Sequence, residues 1–283
     1  MSTARAKKVI KDNLSIPTLP AVVQRVSAMV EDPKIGVGEI GTQISTDAPL
    51  AAKVLRIANS AFYGLRERCL SAEQAASVLG ARVLKNVVTQ AAVMAKFSHL
   101  EGHPEFDINE MWQHASMTAH ACSTIAKRCK NAVELTPEEF HICGLLHDLG
   151  KVVMLDGMGD KYIDAFLQAK TTGTPLHFVE TELCGFNHTD VGAVVAKHWS
   201  LPDAVIAAIH YHHGPRENIS ADPVIALVAN ANLVCHRVAD GHLEAAELTF
   251  DDQTMEFLGI DPRVVPGIIQ DIHEAFSANS EAA

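Results

Sequence analysis

The chain has 283 residues and a formal net charge of −11, from 34 acidic against 23 basic side chains, a balance that opposes electrostatic capture by nucleic acid or by an anionic membrane. Six cysteines (Cys69, Cys122, Cys129, Cys143, Cys184, Cys235) form no Cys-x-x-Cys pair and for the most part lie within apolar helical patterns, which argues against a disulfide framework and indicates buried free thiols in a reducing compartment. Hydrophobic residues make up 48% and aromatics only 5%, and alanine-rich runs such as Ala204 to Ala208 favour helix packing over strands.

No long apolar run follows Lys7, Lys8 and Lys11, so neither a leader nor a membrane span is expected, and the location expected is the cytoplasm. Ile16 to Pro20 lead into a helix carrying Val22, Val23, Val26, Met29 and Val30, stopped near Asp32-Pro33. Gly36 to Thr46 predicts a second helix with Ile40 and Ile44 on one face, and Asp47 caps a third, Pro49 to Asn59. Phe62-Tyr63-Gly64 reads as a loop. Ser71 caps a helix to Leu79, and Gly80 divides it from a long helix over Val83 to Phe97, which completes a five-helix lobe. Lys53, Arg56, Arg66, Arg68, Arg82 and Lys85 form either a binding face or ordinary solvated charge. The lobe contains no Gly-rich phosphate loop and no Ser-centred nucleophile elbow.

Glu101 to Phe106 break the helical pattern, which places a boundary between residues 1–100 and 101–283. Asp107 or Asn109 then caps a helix in which His114 falls beside the apolar stripe of Ala115, Ala119, Cys122 and Ile125, its imidazole directed inward as a core histidine or a ligand. Thr136, Pro137 and Glu139 spell a capping box with proline at the first position, opening a helix that runs through Phe140, Cys143, Leu146 and Leu149 to Lys151. His147-Asp148 lie in this packed stretch. A buried carboxylate needs a partner, supplied by a divalent cation shared with the imidazole or by Lys151 one turn on. A loop is expected at Asp156 to Gly159, then helices over Tyr162 to Lys170 and Leu176 to Cys184. Asn187 opens a further helix whose spacing turns His188 inward with Gly192, Val195 and Trp199, and His198 outward. Pro202 begins the next helix, which carries His210 to His213 and ends at Gly214-Pro215. The last strong pattern, Asp222 to Val238, holds Asn230 in an apolar run, followed by two helices between Glu244 and Phe276 and a polar, irregular tail from Ser277 to Ala283.

Taken in order, His114, His147-Asp148, His188 and His212-His213 resemble the metal motif of the HD-domain superfamily of metal-dependent phosphohydrolases. The surrounding sequence resembles its HDOD branch: Leu19-Pro20, the run from Asp47 to Gly64, Leu79-Gly80, Trp112-Gln113-His114, Gly144 to Lys151, His188 to Ala193, Trp199 to Pro202 and the histidine pair. The resemblance covers nearly the whole chain. It implies an all-α architecture, an N-terminal helical lobe packed on an HD-type helical bundle.

The resemblance further implies a bacterial signal-transduction or regulatory protein, or alternatively an active phosphohydrolase on a nucleotide or other phosphoester. By motif, His114, His147 and Asp148 would hold one metal and His188, His212 and His213 a second, with Asp148 bridging. Two cations so placed would acidify a bridging water, and Asp148 and Lys151 would be the catalytic residues. Lys151 is equally a helix-end lysine. Iron, manganese or zinc suits mixed imidazole and carboxylate donors better than magnesium. Val228-Ala229-Asn230 stands where hydrolase relatives place a ligating aspartate, which weakens the first site, and Glu110 either compensates or is a surface residue. No Gly-Tyr-Pro tripeptide follows the histidine pair, which argues against the branch that cleaves cyclic di-GMP. The expected partner is a signalling protein or a small phosphorylated ligand, with no membrane and no nucleic acid.

Overall fold

The computed structural model describes residues 10, 14–60, 63–100, 105–131, 135–214, 219, 222–239 and 252–280. The expected break at Glu101 to Pro104, the proline stop at Pro215 and the start of the pattern from Glu244 lie outside them. Every regular element among the described residues is helical, and none is long and apolar enough to cross a membrane. The chain divides into two compact units, one of Leu19–His99 with Asp271–Ala283, the other of Met1–Thr18 with Leu100–Gln270.

In the smaller unit, α1 (Ala21–Glu31), α2 (Val37–Ser45) and α3 (Ala48–Ala58) each pack on α4 (Ala72–Lys96). Asp47 and Ser71 cap α3 and α4 by accepting from the backbone three residues on. Gly80 has φ 79° and ψ 163°, so α4 is two helices joined at a kink, and the five helical segments expected are present. Val26, Ile40, Ile44, Val54, Leu84 and Val88 fill the core. The loop after α3 is tied back by Asn59, whose amide accepts from the Cys69 nitrogen at 2.8 Å and donates to its carbonyl at 2.9 Å. Of the basic residues singled out in this unit, Arg56, Arg66, Arg68 and Arg82 are exposed and Lys53 and Lys85 half-buried.

The larger unit begins with α5 (Ile108–Ala126), α6 (Pro137–Leu146) and α7 (Leu149–Met158), followed by α8 (Asp160–Thr172), α9 (Leu176–Cys184) and α10 (His188–His198). Then come α11 (Asp203–Tyr211), α12 (Pro223–Ala239) and α13 (Asp252–Leu258), and α14 (Val265–Ser280) runs on from this unit. Helix α5 packs on α6 and α12, α7 on α10, and α11 on α6, α10 and α12. Glycines allow the closest of these approaches: Cβ on Gly144 would stand 2.7 Å from the Ala119 Cα, and on Gly150 it would fall on the His188 carbonyl. Trp199 closes one side by donating to the Pro17 carbonyl at 2.7 Å.

Three expectations are corrected. The helix read as continuous from Pro137 to Lys151 is two, because α6 stops at Leu146 and Asp148, at φ −99° and ψ 10°, leaves helical geometry before α7 restarts. Asp156 to Met158 are the end of α7 rather than a loop, since Gly157 packs against Leu14 and the chain turns only at Gly159, φ 54°. The tail is helical to Ser280.

Candidate metal centre

Five helix segments of the larger unit bring ligand atoms together. His114 comes from the middle of α5, His147 and Asp148 from the break between α6 and α7, His188 from the first turn of α10, and His212-His213 from just past α11. Each anchor is local. The capping box expected at Thr136 and Glu139 is formed, as is a second between Asn187 and Asp190 that fixes His188 at the start of its helix. The atoms converge in two overlapping sets, Asp148 with His188, His212 and His213, and Asp148 with His114 and His147. Within each set they lie within 4.8 Å of one another.

The outer ring nitrogens define how the inner ones point. Nδ1 of His147 donates to the Gly144 carbonyl at 2.6 Å, and Nδ1 of His212 to the Ile209 carbonyl at 2.9 Å. A carbonyl only accepts, so both rings carry their proton on Nδ1. His188 Nδ1 donates at 2.6 Å to Oε2 of Glu180, which also accepts the His188 backbone N–H at 2.9 Å. On all three rings Nε2 is therefore left facing inward toward Asp148, at 3.2 Å for His147, 3.4 Å for His188 and 3.5 Å for His212.

Nε2 of all three and Oδ1 of Asp148 are buried without a hydrogen-bond partner among the described residues. Burial pushes the His212 imidazole down to about 3 despite the opposing pull of Asp148. Burial likewise holds His213 and His114 far below the ordinary histidine value, with His212 next in weight for His213 and His236 for His114. Burial opposes the charge on Asp148, but the carboxyl stays well below the usual range, with the Lys151 ammonium at 2.6 Å holding it there. Neutral imidazole lone pairs thus converge on an anion in a buried space, which is costly unless a cation stands between them. The donor set, neutral imidazoles oriented from behind around a carboxylate, fits a divalent first-row metal.

Lys151 reaches Asp148 Oδ2 at 2.6 Å, with its side chain 14% exposed, so it is no free helix-end lysine. His198 and Glu110 are on the surface. Asn230, expected at the ligand position of α12, instead donates to the Ala226 carbonyl and faces Thr254. The amide that reaches the centre is Asn232, with Oδ1 2.9 Å from His114 Nε2. Three further residues went unmarked in the sequence: Glu180 behind His188, His177 stacked on His213 at 4.5 Å and 9°, and His236 stacked on His114 at 4.3 Å. Glu180 has exposed residues after it and no helical partner that singles it out.

Comparison with known proteins agrees with this architecture. A protein of Treponema pallidum without an assigned role is 28% identical over 241 residues, 84% of this chain, and the chain spans about half (46%) of its length. A Geobacter sulfurreducens HDOD protein of unknown function superposes with a TM-score of 0.82 at 23% identity, covering 99% of this chain and 98% of that one. A candidate phosphohydrolase of Shewanella amazonensis superposes at 0.76 and 23% identity over 98% of both chains. A candidate signal transduction protein of Marinobacter aquaeolei superposes at 0.78 and 20% identity over all of this chain and 66% of its own. At these identities the likeness establishes the fold. The HDOD domain model matches residues 16–215, most of both units, and the chain belongs to the HDOD domain family.

Proposed function

We propose that this is a regulatory, signal-transducing HDOD protein of the bacterial cytoplasm that keeps a working metal site on a phosphohydrolase scaffold. The observation that carries the reading is the set of three imidazoles pinned through Nδ1, their unpartnered Nε2 atoms turned on Asp148. His114, His147, His188, His212, His213 and Asp148 are the candidate ligands, and iron, manganese or zinc fits them better than magnesium. A bound divalent ion would polarise a phosphoryl oxygen and acidify a water. Lys151 holds Asp148 in place and offers an ammonium to a phosphorylated ligand. Regulation is favoured over turnover because Asp148 is the sole carboxylate in both sets, and Asn232 contributes no charge. The partner is a signalling protein or a small phosphorylated ligand.

A second reading, an active phosphohydrolase, is favoured by the accessibility of Lys151 and His114, each with a side chain 14% exposed beside the buried Asp148. Elemental analysis of the purified chain followed by a panel of phosphoesters separates the two. Bound metal without turnover supports regulation. Metal-dependent turnover lost in His147→Ala and Asp148→Ala replaces that reading with hydrolysis, and a chain that retains no metal refutes both.

A further inference from the structure

Asp148 offers its two oxygens to different surroundings. Oδ1 has no hydrogen-bond partner among the described residues and faces His188 and His212 at 3.4 and 3.5 Å. Oδ2 is already engaged by the Lys151 ammonium at 2.6 Å, and the imidazoles on its side are His147 at 3.2 Å and His114 at 3.9 Å. The His114 nitrogen is in turn engaged by Asn232 at 2.9 Å. In either orientation of that amide the nitrogen is consumed: the oxygen takes its proton, and the NH2 would take its lone pair. The Oδ2 side therefore lacks a free imidazole at His114 and already holds a positive charge. On the Oδ1 side the opposite holds, since the wholly buried Glu180 carboxyl group stands behind His188.

We infer that Asp148 divides the cluster into a single metal site and a protein-filled one. One divalent ion is held on Oδ1 by His188, His212 and His213, and Lys151 occupies the Oδ2 side in place of a second ion. A dication there would face the ammonium at close range with no carboxylate among the described ligand residues beyond the shared Asp148 to offset it, in a setting that screens poorly. This rests on the metal-binding reading above and specifies its stoichiometry.

The test is a cobalt(II) titration of the metal-free full chain, followed by visible absorption, with elemental analysis after free metal is removed. The expected endpoint is one equivalent per chain, retained by His114→Ala and lost, or weakened more than tenfold, in His188→Ala. The double variant Lys151→Met with Asn232→Asp is expected to take up two. An endpoint of two in the unaltered chain overturns the inference while leaving the metal-binding reading intact, and so does one equivalent that depends on His114 rather than His188. A folded double variant, checked by circular dichroism, that stays at one equivalent overturns the role given to Lys151. No retained metal at all overturns the function proposed above and this inference with it.

Discussion

Glu180 and His188 meet through a single oxygen: Oε2 accepts both the ring Nδ1–H at 2.6 Å and the backbone N–H at 2.9 Å of the same histidine. Holding ring and backbone together fixes the tautomer, the ring plane and the start of α10 in one contact. A carboxylate behind a ligating imidazole also makes its inner nitrogen a better donor. Glu180→Gln keeps the shape and removes the charge. It is expected to weaken metal binding by about 10–100-fold while the helical signal in circular dichroism is unchanged. Equal affinity in a competition titration would reduce Glu180 to a helix-start acceptor.

The sequence made the ends of helices legible because capping is local: Asp47, Ser71, Thr136 with Glu139, and Asn187 with Asp190 all act within three residues of themselves. The inward turns of His114 and His188 were legible for a related reason, since each falls on or beside the apolar stripe of its own helix, whereas His212 and His213 stand past the end of theirs and are marked only by the family motif. The break at Asp148 was hidden because Leu146 and Leu149 preserve helical spacing across it. Choosing Asn232 over Asn230 was beyond periodicity, because α12 is buried on nearly every side and both amides are buried. Asp156 to Gly159 resemble a loop in composition, yet Gly157 is a contact glycine under Leu14. Glu180 emerges only from the pairing of α9 with the start of α10, a tertiary relation that no local pattern records.

Gly150 tests how tightly the centre is held. A Cβ there would fall on the His188 carbonyl and 2.8 Å from the Gly192 nitrogen, both backbone atoms that cannot swing aside. Gly150→Ala is expected to destabilise the chain by about 1–3 kcal/mol in urea unfolding and to weaken metal binding, because α7 and α10 must separate. Gly38, in the first turn of α2, has nothing within 4 Å of such a Cβ. Gly38→Ala is expected to stabilise by about 0.5 kcal/mol. If both substitutions had the same effect, the close approach would not be what holds His188.

Acid should destabilise the metal-free chain well above the carboxylate range. His141 and His212 are buried and pushed down to about 3 from 6.5, chiefly by burial. Between those values the unfolded chain binds protons that the native chain does not, so stability is full above pH 6.5 and falls as the pH drops toward 3. Each such histidine steepens the fall by up to about 1.4 kcal/mol per pH unit. Asp148, depressed below 3.8, has the same sign but acts only below that value. His141→Gln lies outside the ligand sets, and its urea midpoint is expected to fall less steeply between pH 6.5 and 5 than that of the unaltered chain. Parallel curves would show that His141 is not neutral in the native fold.

Thiol labelling offers a readout of the same scaffold. Cys122 on α5, Cys143 on α6 and Cys235 on α12 are fully buried in the three helices that bring His114, His147 and Asn232 to the centre. Burial pushes the Cys143 and Cys235 thiols up to about 12 and Cys122 well above its ordinary value, so the nucleophilic thiolate is scarce as well as shielded. Cys129 and Cys184 are only partly buried. At pH 8 the native chain is therefore expected to react slowly at those two, and all six cysteines should react in denaturant. Metal binding stabilises the native state by mass action, so at a free metal concentration 100 times Kd, labelling of the three core thiols through unfolding should slow about 100-fold. Peptide mapping after timed labelling checks this site by site. Core thiols that react equally fast with and without metal would show that the centre is not coupled to the packing of α5, α6 and α12.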